Sequence, residues 1–176
     1  MARVKEITNR DQVASEERDL FDKVEELRGG VGLPYSVFLN HPPLTVLKLQ
    51  LGSYVRFNST VPKDIAEVAI CTAARIYDCE FELFAHTRAA RRAGIDEATL
   101  NVITEQSDPI GLNEGHALAI TFTRQLLTQH RIEATTFDEA VARWGERSVI
   151  ELVATIGYYV MSACWMNALE IHPPSP

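Results

Sequence analysis

The chain has 176 residues, nearly half of them apolar, and a formal net charge of −7, enough for one domain with a real core and short for two. The negative charge is spread without acidic or basic runs, which argues against a nucleic-acid backbone or an anionic membrane surface as partner. No stretch approaches the roughly twenty uncharged apolar residues that span a bilayer, and Met1 to Arg18 is too polar for a secretory leader, so a cytoplasmic protein of small-molecule chemistry is expected.

Helical periodicity recurs from Ser15 to the end, broken by Gly29-Gly30, Pro34, Pro42-Pro43, Gly94, Pro109 and Gly111, and strand signals are nearly absent. The fold class is therefore all-α. Ser15 with Glu16 and Glu17 opens a first helix whose apolar face is Leu20, Phe21, Val24 and Leu27, and Gly29-Gly30 ends it. After Leu33-Pro34, the stretch Asn40 to Pro43 starts a second helix with Leu44, Leu47, Leu51 and Val55 in register. A third helix starts near Thr60, with Pro62 and Asp64 in its first turn, and runs to Tyr77. It is apolar almost all round, as a helix buried on most sides is. From Ile65 to Tyr77 its only charges are Glu67 and Arg75, which sit eight residues and about 12 Å apart along the axis and cannot pair directly.

A fourth helix covers Cys79 to Arg92 and closes at Gly94. Ile95, Asp96 and Leu100 have the pattern of a hydrophobic staple around an Asp cap, opening a short fifth helix. Two long helices follow, near Asn113 to His130 and Ser148 to Ile171, with a shorter one around Phe137 to Trp144 between them. The expectation is a single domain over 1–172 and a disordered Pro-rich tail over 173–176. So apolar a set of about seven helices predicts a homo-oligomer. Three cysteines, Cys71, Cys79 and Cys164, are odd in number and widely spaced, which indicates neither a disulfide framework nor a zinc site. His41, His116, His130 and His172 lack metal-ligand spacing and are read as surface or loop residues. No metal is expected.

Chemistry concentrates on the fourth helix. Cys79, Glu82 and His86 stand at i, i+3 and i+7, which puts all three on one helical face. A carboxylate four residues before an imidazole can fix its tautomer and raise its basicity, as a general acid/base requires. A surface Glu-His pair has the same spacing, but Phe81, Leu83, Phe84 and Ala85 flank this one and place it against the core.

The pattern Glu67-x11-Cys79-x2-Glu82-x3-His86, followed by Ala89, Ala90 and Ala93-Gly94-Ile95, resembles the signature of the carboxymuconolactone decarboxylase and AhpD-like alkylhydroperoxidase superfamily, over about Leu33 to Gln106. Peroxidase members carry Cys-x-x-Cys before the His, one thiolate attacking peroxide and the other resolving the sulfenate. Here Glu82 stands in the resolving place, and the segment resembles the Glu-x-x-x-His version of decarboxylase members. The resemblance implies an AhpD-like helical domain, oligomeric as a trimer or hexamer. It also implies decarboxylation of a small unsaturated lactone or keto acid of aromatic-compound breakdown, without cofactor. His86 would transfer the proton, Glu82 orient it or act as partner acid, and Glu67 support both, with these roles open to permutation. Arg75, Cys79 and Phe81 would contact a carboxylated substrate, Arg75 by its guanidinium fork or else tied in a salt bridge, Cys79 as a reactive thiol or else as buried packing. A thiol-dependent hydroperoxide reductase working through Cys79, and a non-catalytic oligomer of the same fold, are the competing readings. Hydration, isomerisation or retro-aldol cleavage would use the same acid/base pair.

Overall fold

The computed structural model describes residues 2–174, and within them the chain is all-helical. Nine α-helices lie among the described residues: α1 Arg18–Arg28, α2 Tyr35–Phe38, α3 Pro42–Ser53, α4 Lys63–Ile76, α5 Glu80–Arg92, α6 Glu97–Glu105, α7 Glu114–Arg124, α8 Ala134–Trp144 and α9 Glu146–Ala168. The short α2 was not expected. α3 and α7 each run on into a π-helical turn, over Tyr54–Asn58 and Gln125–Gln129. Pro173 and Pro174 have no regular structure, and the rest of the expected tail lies outside the described residues.

Local signals set several boundaries. Gly29, at φ 73°, ends α1 in the left-handed conformation with its N–H on Glu25 O, a place where a Cβ would be strained. The Asp96 carboxylate accepts the Thr99 N–H at 2.8 Å and opens α6, while Ile95 and Leu100 are both buried in the main core. Asn113 caps α7 through the Gly115 N–H at 2.9 Å.

α4 is the central element, packed on α5, α6, α7 and α9. Its apolar character is explained by that position: Val68 shares one buried core with Phe122 of α7 and Leu152 and Ile156 of α9, each such side chain contributing about 1.5–3 kcal/mol by burial. α9 is long and apolar enough to cross a bilayer by length and composition, which corrects the expectation that no stretch approaches that length. Here it is a core helix, with Val149, Leu152, Ile156, Tyr159, Ala163 and Met166 buried. Its first turns are pinned by Glu151, which takes hydrogen bonds from the Tyr54 hydroxyl at 2.6 Å and the Thr60 hydroxyl at 2.7 Å. Those donors hold the Glu151 carboxyl down at about 2.

Two expectations about faces are corrected. In α3, Leu47 and Leu51 are exposed, and the buried side is Thr45, Lys48, Leu49 and Gly52. That face turns inward because Gly52 lets α9 approach: a Cβ on Gly52 would lie 2.8 Å from Tyr158 Cζ and closer still to its hydroxyl. Leu27 of α1 is likewise exposed, while Phe21 and Val24 are buried. His116 is no surface residue: it is buried, with Nε2 3.3 Å from Asp64 and Nδ1 3.4 Å from the Thr99 hydroxyl.

Candidate active site

α4 and α5 are joined by the corner Tyr77–Cys79, in which Asp78 takes φ 47°, and this tight connection lays α5 back along α4. Glu67 on α4 thereby faces His86 on α5, nineteen residues away in sequence, with Oε2 2.7 Å from Nδ1. The other ring nitrogen, Nε2, lies 3.5 Å from Glu82 Oε2. Glu82 and His86 are both buried, and Glu67 is nearly so. The ring is clamped from a third side by Tyr159 of α9, edge-on at 4.7 Å between centroids. Burial holds the Tyr159 phenol well above its ordinary range, so it stays a neutral hydroxyl.

The hydrogen bond that orients the imidazole is therefore made by Glu67, while Glu82, the carboxylate four residues before His86, is held at a longer range than a good hydrogen bond. With Nδ1–H donating to Glu67, the tautomer is set and Nε2 is left to take or give a proton. His86 and Glu82 line a cavity of about 620 Å³ together with Phe81 and Tyr158. Four cations border the same cavity: Arg28, Lys48, Arg56 and Arg92. Glu67 lines a second, smaller cavity of about 290 Å³, and Arg56, Ala89 and Arg92 are shared by both.

The remaining sequence candidates lie elsewhere. Cys79 is the N-cap of α5, at φ −90° and ψ 93°, so the helical spacing that should align it with Glu82 and His86 has not yet begun at that residue. Its side chain packs with Val37, Phe38, Ala163 and Met166, and it is absent from the cavity wall. Burial pushes its thiol up to about 11, and that of Cys71 to about 12, both disfavouring the reactive thiolate. Arg75 lines neither cavity. Its Nη1 is paired with Asp78 and its Nε donates to Thr104 O at 2.8 Å, because the last turn of α4 points it towards the end of α6. Among the described residues no group of three or more His, Cys, Asp or Glu is spaced to hold a metal ion.

Lys48 is the residue the sequence reading missed. It is 3% exposed, with Nζ 2.9 Å from the Ser162 hydroxyl and 3.3 Å from that of Tyr158. A signal existed. Lys48 is the sole charged residue from Pro42 to Tyr54, as Glu67 and Arg75 are within their apolar run, but the leucine register drew the eye to the opposite face.

No protein-family model matches the sequence, and no curated protein matches it. Solved structures do. A structure described as the alkylhydroperoxidase AhpD core, an uncharacterized peroxidase-related protein from Ralstonia eutropha JMP134, superposes with a TM-score of 0.78 at 12% identity, over 99% of this chain and 93% of that one. An uncharacterized peroxidase-related protein from Silicibacter sp. TM1040 gives 0.76 at 16% identity, over 98% and 93%. A protein of unknown function from Agrobacterium tumefaciens gives 0.66 at 15% identity, over 79% and 96%. Over nearly its whole length, then, this all-helical chain has the fold of the alkylhydroperoxidase AhpD core.

Proposed function

We propose that the chain is a cofactor-independent acid/base enzyme that decarboxylates a small unsaturated lactone or keto acid, with His86 as the proton-transfer group. One observation carries this reading: an imidazole fixed at Nδ1 by Glu67 and offering Nε2 beside Glu82 in a cavity bordered by four cations. Such cations favour an anionic substrate. In the reaction the bond to the leaving carboxylate breaks, and its electron pair passes into the substrate's conjugated carbonyl. Carbon dioxide departs, and the resulting dienolate takes at carbon a proton carried on His86 Nε2, which solvent then restores. Glu67 acts as the positioning residue and Glu82 as the partner acid, since Glu82 is the carboxylate on the cavity side.

The structural neighbours are named peroxidase-related, which favours a thiol peroxidase as the second reading. Cys79 would have to be its nucleophile, and a buried thiol held up to about 11 away from the cavity suits that role poorly. The test is a panel of unsaturated lactone carboxylates and β-keto acids, followed by carbon dioxide release and by solvent deuterium appearing in product. Cys79→Ser should retain activity within about threefold of wild type, since proton transfer needs the pocket's shape and not a thiolate. Hydroperoxide consumption with an external thiol that disappears in Cys79→Ser, beside no carbon dioxide from any panel member, would decide for the peroxidase.

The chain is further proposed to act in the cytoplasm as a homo-oligomer, a trimer or hexamer. Leu47 and Phe57 are each 63% exposed, Ile150 71% and Ile110 84%, apolar surface that an assembly would cover. Light scattering at micromolar concentration should give a multiple of the 19.7 kDa chain mass. A monomer there would refute the assembly.

A further inference from the structure

Lys48 is a buried ammonium with no carboxylate within 4.0 Å among the described residues. Two of its three donors have acceptors, and both acceptors are neutral hydroxyls, Ser162 at 2.9 Å and Tyr158 at 3.3 Å. The rings of Phe38, Tyr158 and Trp165 surround it at 4.8, 4.7 and 4.8 Å, and such faces offset part of a cation's lost hydration. A methionine would fill this apolar box without that loss of hydration. The third donor of Lys48 is unmatched, and Lys48 lines the same cavity as Glu82 and His86. Glu82, on the same cavity wall, favours the charged form from beyond ion-pair distance, so the place for a directly bonded anion at the ammonium is open.

We infer that Lys48 anchors a carboxylate of the substrate, its ammonium taking that anion as the missing counter-charge while Tyr158 and Ser162 hold the ammonium in place. This rests on the proposed reading only in taking the cavity as the substrate site. Anchoring at Lys48 fixes one end of the substrate on the wall formed by α3 and α9 and leaves the rest to reach Glu82 and His86 on α5. Arg28, Arg56 and Arg92, all less buried, then serve to attract the anion and Lys48 to seat it.

Proton uptake should accompany seating. Burial pushes Lys48 down to about 8, with Arg28 adding to the fall and Glu82 opposing it. The titratable and charged groups that share its cavity are Glu82, His86 and Arg92 from α5, Tyr158 and Tyr159 from α9, Arg28 from α1, Tyr35 from α2 and Arg56 from the turn after α3. An anion arriving at the ammonium favours its charged form, so near pH 8 binding takes up about half a proton per site. At pH 6 the group is already protonated and uptake at Lys48 vanishes.

Sodium benzoate and sodium succinate serve as probes, titrated against sodium chloride at equal ionic strength. Wild type should rise in melting temperature with at least one of them, and Lys48→Met should lose at least four-fifths of that rise while keeping its circular dichroism. Calorimetry of the wild type in Tris and in HEPES at pH 8 should show the proton uptake. Neither readout uses turnover, so a failure of the acid/base chemistry leaves the anchor standing. No stabilisation of the wild type by either probe, or an equal response in Lys48→Met, would each overturn the anchor.

Discussion

His86→Ala is expected to lower turnover by about two to four orders of magnitude, the usual contribution of a positioned general acid/base, with the helical content unchanged. The size follows from geometry. His86 lies 2.7 Å from Glu67 and 3.5 Å from Glu82, so its loss removes the proposed proton carrier and separates the two carboxylates from their common partner. Glu67→Gln keeps an acceptor for Nδ1–H but loses the negative charge, and should lower kcat by about tenfold with KM little changed. Glu67→Ala, which also frees the ring, should cost more. The cavity has room for a small heterocycle, so added imidazole should restore part of the His86→Ala rate. Carbon dioxide release followed across the four proteins is the measurement. Equal rates in wild type, His86→Ala and Glu67→Gln would remove the site from α5 altogether.

Gly52→Val should destabilise the protein by about 3 kcal/mol, and Gly52→Ala by up to about 2 kcal/mol, from the balance of two opposing effects. Ala in place of Gly within a helix normally gains about 1 kcal/mol. Against this, the new Cβ falls 2.8 Å from Cζ of Tyr158, a buried ring packed edge-on against Tyr159 and lying under Lys48. Overpacking of that kind costs about 1–3 kcal/mol, and with so little space to yield it wins. Tyr158→Phe removes the hydroxyl that the Cβ meets first, so the double variant Gly52→Ala/Tyr158→Phe should recover part of the loss. Urea denaturation of these variants beside wild type measures this. Gly52→Ala as stable as wild type would mean that α3 and α9 separate without cost.

Much of the architecture was legible because its signals are local. Asp96 and Gly29 mark helix ends by the backbone groups they satisfy or the φ they permit, and the apolar run around Val68 marks a helix surrounded by others. Glu67 attracted attention as a charge in that run, and the fold brings it to His86. What was illegible depends on partners distant in sequence. Nothing near Lys48 says that Ser162 and Trp165 will cover it, and the leucines at 47 and 51 pointed to the opposite face. Cys79 misled for a different reason, since a spacing argument assumes helix throughout and Cys79 sits one residue outside it. Arg75 was misplaced because its partners Asp78 and Thr104 are set by where α4 stops.

The bond from Lys48 to Ser162 spans 114 residues, and that distance has a bearing on how the protein comes into being. During synthesis α3 leaves the ribosome long before α9 exists, so Lys48 begins as an ordinary hydrated lysine with no wall around it. α4 and α5, adjacent in the chain, can assemble early and bring Glu67 to His86 by local contacts. Only when the final helix docks does water leave Lys48, Tyr159 close on the imidazole and the cavity acquire its second side. A chain released before its last helix would carry the Glu67–His86 pair beside a cavity that lacks one of its walls.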